Sequence, residues 1–444
     1  MRQGHQFDRS RLLAVLIWVF SAASHADALS LSGAYELAQS HAPQINLARL
    51  DVEQANAQRK IARGALLPNA NLFGQFSKNE IEYQVDSVYA DQDFRGERYG
   101  VQVSQTLIDV AAGLEASRLS TLLRKSKKDL EVAQNQLVID LVTNFLNVGL
   151  ADREVEQYGD ELVALEAAFA EATALYDVNL VPVTQLLETE ARLDAVRADV
   201  IMASGNAQVA REKLAELIGQ PVGTLGVMME TIPLMSSYAT AEEAAMVAIE
   251  RNPVISAAEA ELTAARQAVD REKARWFPQI DLTFSYQHSD VGFDNLQTPA
   301  RDTSTLAVGF NYPLFEGGAK FARLESARID SYAAETRLES ERRATETRAR
   351  SAWLNFQTTS KRLAAARRGV VSASTNADAA QSALQSGTAR VSDVLLALSR
   401  KTRAGRDYTY ATFQNVIALM ELELSTGGDP DFLVRKLSSA LHDR

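Results

Sequence analysis

The sequence predicts a mostly α-helical chain carrying β-strands of the membrane type, built as one unit used twice. The repeat is the first reason. Leu66-Leu67-Pro68-Asn69-Ala70-Asn71-Leu72 returns as Trp276-Phe277-Pro278-Gln279-Ile280-Asp281-Leu282, and Gln105-Thr106-Leu107-Ile108-Asp109 returns as Tyr312-Pro313-Leu314-Phe315-Glu316. Pro43 and Pro253, and Leu217-Ile218-Gly219 and Ser425-Thr426-Gly427, keep nearly the same offset of about 208 residues, the mark of a duplicated architecture. The second reason is a set of short segments that alternate apolar and polar residues, and the third is an unusually long run of heptads.

In chain order, Arg2, Arg9 and Arg11 precede an apolar run from Leu12 to Phe20 and then Ser21-Ala22-Ala23-Ser24-His25-Ala26. This is the pattern of a secretory signal peptide over residues 1–26, too short to span a bilayer. The first repeat is expected over 27–219. It opens with a helix from Leu31 to about Arg63, broken before Pro43, a residue suited to a helix start. Strands follow over 67–78 and 99–108, separated by an Asp-rich loop, with Ala70, Leu72, Gly74 and Phe76 on one face and Asn71, Phe73, Gln75 and Ser77 on the other.

A helical hairpin over 111–219 comes next. From Ala116 to Tyr176, steps of three and four meet apolar residues almost throughout, with Ser126 and Asn144 the polar exceptions. An extra step of four between Leu137 and Leu141 is a stutter that relaxes the supercoil locally. The helix ends at Asp177-Val178-Asn179-Leu180-Val181-Pro182, with Asn179 suited to a left-handed cap and Pro182 starting the return. After a linker over 220–240, the second repeat over 241–426 is expected to repeat this order. Its strands lie over 278–288 and 303–314 and its hairpin over 318–426, turning at Ser386-Gly387-Thr388; a tail covers 427–444. Leu338 is the one large apolar residue between Glu335 and Arg350, so sequence assigns that charged stretch no partner.

Composition removes several functions. The net charge of −11, with no basic arm, argues against a nucleic-acid partner. The absence of cysteine excludes disulfides, thiolate catalysis, thiolate metal sites and a lipid carried on an N-terminal Cys. No stretch after the signal is apolar over roughly 18 residues, as a membrane helix would be. There is no His-Glu-x-x-His, phosphate loop, Gly-x-Ser-x-Gly or calcium-loop pattern, and the histidines do not cluster. No cofactor and no enzymatic activity are expected.

Four amphipathic strands cannot close a barrel, since the smallest bacterial membrane barrels have about eight. Two copies would give an interior filled by side chains, and three a lumen wide enough for water. Leu282, Phe284, Tyr286, Val308 and Phe310 would then face lipid, with Tyr312 also in the aromatic girdle. The competing reading of the strands is a soluble four-stranded sheet packed on helices. Heptad-patterned hairpins projecting from a barrel would assemble into a tube.

The chain resembles the TolC family of outer-membrane channel proteins over essentially all of its mature length. The resemblance rests on Leu66-Leu67-Pro68, Tyr312-Pro313-Leu314-Phe315-Glu316-Gly317-Gly318, Val178-Asn179-Leu180-Val181, Gly387-Thr388-Ala389-Arg390-Val391-Ser392-Asp393-Val394-Leu395 and Asp431-Phe432-Leu433. It implies a homotrimer with a twelve-stranded barrel in outer-membrane lipid and a long periplasmic helical tunnel. It also implies an equatorial belt drawn from Gln220 to Thr240 and the tail after Thr426. Implied partners are a periplasmic adaptor and an inner-membrane ABC or other export transporter.

By the same resemblance Asp393 matches the first acid of the family's periplasmic gate. Leu396 stands where some members carry a second, Gln185 replaces an acid on the neighbouring hairpin, and Arg390 lies one position from the family's gate arginine. An acid at Asp393 also suits the first turn of any helix, by the macrodipole. Val178, Asn179, Leu180, Val181, Gly387 and Thr388 would dock the adaptor, or serve simply as hairpin turns. Type I protein secretion is the expected role, with small-molecule efflux as the alternative. Rivals from other classes are a non-conducting extracytoplasmic coiled-coil scaffold and a barrel hydrolase. The second is opposed by the absence of a nucleophile–base constellation.

Overall fold

A computed structural model describes residues 29–85, 88–223, 225, 236–291 and 297–442. The signal-peptide reading lies outside them, as does most of the 220–240 linker. The element order is the same twice. Helices α1 (Leu31–His41) and α2 (Pro43–Gly64), strands β1 (Asn69–Val85) and β2 (Val88–Ile108), and helices α3 (Val110–Asp177) and α4 (Val183–Ile218) form the first series. The second comprises α5 (Ala241–Arg251), α6 (Pro253–Ala274), β3 (Gln279–Val291), β4 (Gln297–Asn311), α7 (Ala319–Gln385) and α8 (Val391–Ser425), and α9 (Pro430–His442) closes the chain.

Local chemistry accounts for the boundaries. Ser30 accepts from the Gly33 amide and Asp109 from the Ala112 amide, capping α1 and α3. Pro43 and Pro253 occupy first-turn positions, where a missing N–H costs nothing. Pro182 instead sits one residue earlier than expected, extended at φ −73° and ψ 154° as the cap of α4, and the return helix begins at Val183.

Helix α3 has 68 residues and is therefore about 100 Å long. Its heptad positions pack inward along nearly the whole length, and Tyr176 at the tip is exposed. Around the stutter the buried arc widens: Leu137, Val138, Leu141, Val142, Phe145 and Leu146 are all fully buried. The principal core forms there, joining α3 to Leu31 and Tyr35 of α1, Ile45 of α2, Leu214 and Ile218 of α4, Phe413 and Met420 of α8, and Leu433 and Leu437 of α9. The stutter shifts the phase of the buried stripe, so that adjoining faces of the helix meet different partners at this level.

The charged stretch Glu335 to Arg350 also finds its partners. Arg337 pairs with Glu261 at 3.1 Å, Arg342 with Glu259 at 2.8 Å and Glu335 with Arg266 at 3.5 Å, all across the α6–α7 contact. Leu338 is buried beneath them against Ile255 and Leu262. These pairs are solvent-exposed and set register more than stability.

The four strands form one antiparallel sheet in the order β1-β2-β3-β4. Two strand expectations are corrected. The Asp-rich stretch is not a loop: β1 and β2 stay paired out to Val85 and Val88, a ribbon that satisfies its own backbone hydrogen bonds. β4 begins earlier than expected and stops at Asn311, leaving Tyr312 outside, because Pro313 has no N–H to continue a ladder.

Replacing Phe145, fully buried at the stutter, by Ala should destabilise the fold by about 3–5 kcal/mol. Chemical unfolding of the detergent-extracted protein, followed by helical circular dichroism, measures this; a loss below about 1 kcal/mol would contradict the assigned core.

Candidate functional site

The register builds two chemically distinct faces. Ala70, Val103, Phe284 and Leu306 lie in one row across the sheet, and Leu72, Val101, Tyr286 and Ser304 in the next. Ile280 meets Phe310 and Leu282 meets Val308 on the same side. The opposite face carries rows such as Asn71, Gln102, Ser285 and Thr305.

Exposure shows which way the sheet curls. Leu72 is 87% exposed, Leu306 72% and Phe310 68%, whereas Ser289 and Val291 on the polar face are 1% and 5% exposed. Apolar side chains therefore lie on the convex side and polar ones in the concavity. A water-soluble sheet would do the reverse, so the convex side is matched to lipid. Leu282, Phe284, Tyr286, Val308 and Phe310 share this side of the sheet. The outer edges of β1 and β4 have no partner in the four-stranded sheet. Hydrocarbon would leave those backbone groups unsatisfied, so the sheet must continue into other copies. Among the described residues no helix is long and apolar enough to cross a membrane.

Below the strands, Glu115 of α3 accepts from Arg118 (2.6 Å) and Arg271 of α6 (2.7 Å), and Arg271 also reaches Glu272 (2.6 Å). The hydrogen bond from Arg118, and then that from Arg271, hold the Glu115 carboxyl down to about 2 against the opposing effect of burial. Lys320, almost fully buried, gives its Nζ to Pro313 O at 2.6 Å beside the Trp276 ring. This knot joins strands to helices.

Further down, two arginines rivet the hairpins. Arg192 of α4 reaches buried Glu161 of α3 at 2.5 Å and Ser399 of α8 at 3.2 Å. Arg406 of α8 pairs with Glu154 of α3 at 3.3 Å and lies 4.7 Å from the Tyr158 ring centroid. Sequence reading missed this group. The available signal was Glu161 lying beside the apolar heptad row, a position where a buried acid requires a cation from another helix.

The two tips share one geometry. Asn179 (φ 58°) and Gly387 (φ 73°) are both left-handed. Leu180 N–H bonds back to Leu175 O and Thr388 N–H to Ala383 O, at 2.8 and 2.9 Å, the long bond of a Schellman turn. Val178 and Leu180 project into solvent, while Val181 is half-buried. Asp393 and Gln185 occupy equivalent third positions of the two return helices. Asp393 Oδ2 accepts from the Arg390 amide at 3.0 Å. In the other turn Pro182 stands in place of Arg390 and has no N–H to cap, so Gln185 is released from that role. Within one protomer the structure brings Arg390 and Asp393 together but, among the described residues, no hydrogen bond joins either to Gln185.

Residues 34–220 and 245–428 both match the family described as outer membrane efflux protein. The chain belongs to that family. Its members are passive, trimeric outer-membrane channels that work with a periplasmic adaptor and an inner-membrane transporter, and this chain is an outer-membrane channel subunit rather than an enzyme. It is 23% identical to the outer membrane protein TolC of Vibrio cholerae over 90% of each chain. It is 24% identical to the alkaline protease secretion protein AprF of Pseudomonas aeruginosa, over 70% of this chain and 68% of that one. Its fold is similar to the open-state crystal structure of the MtrE outer membrane channel of Neisseria gonorrhoeae, with a TM-score of 0.74, 19% identity, and coverage of 90% of this chain and 89% of that one. Trimerisation closes the open edges into twelve strands with the polar concavity as lumen.

Two outcomes test this wall. Arg192→Ala strands buried Glu161 and should cost about 3 kcal/mol, while replacing both by Leu should recover most of it. Glu115→Gln should destabilise the protein at neutral pH. Because the folded carboxyl titrates below its unfolded value of about 4.3, its contribution is complete above that pH and fades as pH falls toward about 2. Thermal melts of the two proteins should therefore converge across that interval; a constant gap would exclude the linkage.

Proposed function

We propose that the trimer is the exit duct of a type I protein secretion system, passing protein cargo from an inner-membrane ABC transporter and its adaptor to the cell exterior. The observation that carries this reading is the match to a protein named for alkaline protease secretion across more than two thirds of each chain. A relative named as a proteases secretion protein of Dickeya chrysanthemi supports it. Small-molecule efflux is the second reading, favoured by the family's own description. Nothing in a passive lumen supplies energy, so work is done by the transporter.

On this reading residues 27–219 and 241–426 are the two repeats, and 220–240 with 427–444 form the equatorial belt. The Asp431-Phe432-Leu433 motif supports that role for the tail: Asp431 accepts from Tyr35 Oη at 2.7 Å and Leu433 enters the principal core. Burial, and then this bond to Asp431, push the Tyr35 phenol upward. Val178, Asn179, Leu180, Val181, Gly387 and Thr388 form the adaptor-docking tips, with exposed Val178 and Leu180 as the apolar contacts. Asp393, assisted by Arg390 and Gln185, forms the periplasmic gate, where three carboxylates around one axis repel each other and attract cations. Asp393 has a local capping role as well, so charge and cap need separate tests.

Gene deletion should remove one or a few proteins from the culture medium while leaving drug susceptibility within about twofold; the converse result would favour efflux. In planar bilayers Asp393→Asn, which keeps a capping oxygen, should weaken block by multivalent cations about tenfold without altering trimer assembly. Unchanged block would remove Asp393 from the gate.

A further inference from the structure

We infer that the outer mouth of the lumen carries a ring of arginines, a binding site for multivalent anions entering from the cell exterior. The inference rests on the channel reading and concerns the end of the pore remote from Asp393. Gln75, Arg98, Ser289 and Arg301 occupy one row across β1, β2, β3 and β4, on the polar, concave face. The guanidinium of Arg98 leans across β3, giving Nε to Ser289 Oγ at 3.5 Å and Nη2 to Val291 O at 3.3 Å. Arg301 flanks Ser289 from the other side, is exposed, and has no ion pair among the described residues. Backbones of β2 and β4 are about 10 Å apart across β3, so one multivalent anion can touch both arginines.

Strand alternation separates the signs. Glu97-Arg98 and Arg301-Asp302 are adjacent pairs, and in each the acid takes the convex face while the arginine takes the concave one. His288 stands between the two acids on that convex side, with Asp302 at 2.8 Å and Glu97 at 3.7 Å. Among the described residues Asp290 is the other acid near this row, and it accepts the Glu97 amide at 2.6 Å. The charges adjoining the arginines in sequence are thus held outside the lumen.

A trimer repeats the two arginines three times around the mouth. At the inner end of the same face the charged residue of β3 is Asp281, opposite Thr106 and Gly309. Eight residues of strand separate it from Ser289, about 26 Å of chain and well beyond the roughly 8 Å screening length of physiological salt. The basic mouth and the acidic inner end therefore act as independent rings. The outer one concentrates anions, with guanidinium forks matched to phosphate, carboxylate or cyanide nitrogen acceptors.

The test uses full-length trimers in planar bilayers, oriented by the side on which multivalent cations block. Hexacyanoferrate(II) added to the opposite, exterior side should block the current. The double variant Arg98→Gln with Arg301→Gln should need at least about tenfold more for half-block, and Arg301→Lys, which keeps the charge, should remain within about threefold of the parent. Raising the salt should weaken parental block steeply. Conducting channels in which the glutamine variant and parent block alike would overturn the arginine ring and leave the channel reading standing. Absence of conductance in the parent protein would overturn the channel reading first.

Discussion

A sheet edge facing hydrocarbon must be hydrogen-bonded, because no water is present to replace a missing partner. This one requirement governs the rest of the molecule. The protomer presents a sheet with apolar residues on its convex side and open edges at β1 and β4. Such an object is stable in a membrane only when its edges meet those of other copies. Closure by three then fixes the lumen and the polarity of its lining, and it requires the helices below to reach the same symmetry.

The helical part meets that demand by concentrating apolar burial at one level. Around Leu137 to Leu146, where the stutter broadens the buried arc of α3, the first and last described helices and both return helices converge. Elsewhere contact is maintained by narrower seams and by charge. The α6–α7 contact rests on Leu338 and exposed ion pairs, and the hairpins are riveted by Arg192 and Arg406. Stability is therefore gathered at this level, while the parts on either side are specified more than they are stabilised.

Much of this was legible because period and punctuation agree with the final fold. The heptads of α3, the alternation in β3 and the prolines opening α2 and α6 are local signals that tertiary packing did not override. The left-handed caps at Asn179 and Gly387 were legible for the same reason. The outer half of the β1–β2 ribbon was not, because its residues do not alternate cleanly between apolar and polar types. Pairing between distant residues was also invisible: Glu261 with Arg337, Glu161 with Arg192 and Tyr35 with Asp431 are chosen by three-dimensional proximity, which no sequence period encodes. Asp393 was legible as a candidate, yet its bond to the Arg390 amide gives it a local purpose that spacing alone could not distinguish from a gate.

The uninterrupted length of α3 has a mechanical corollary. A 68-residue helix without proline, clamped near its middle and tied to its neighbours further down by Arg192 and Arg406, is one continuous rod. A small rotation where Leu137 to Leu146 is clamped sweeps the turn at Val178 through a distance magnified by some 50 Å of arm. Force applied at the tip returns to the clamp with the same leverage.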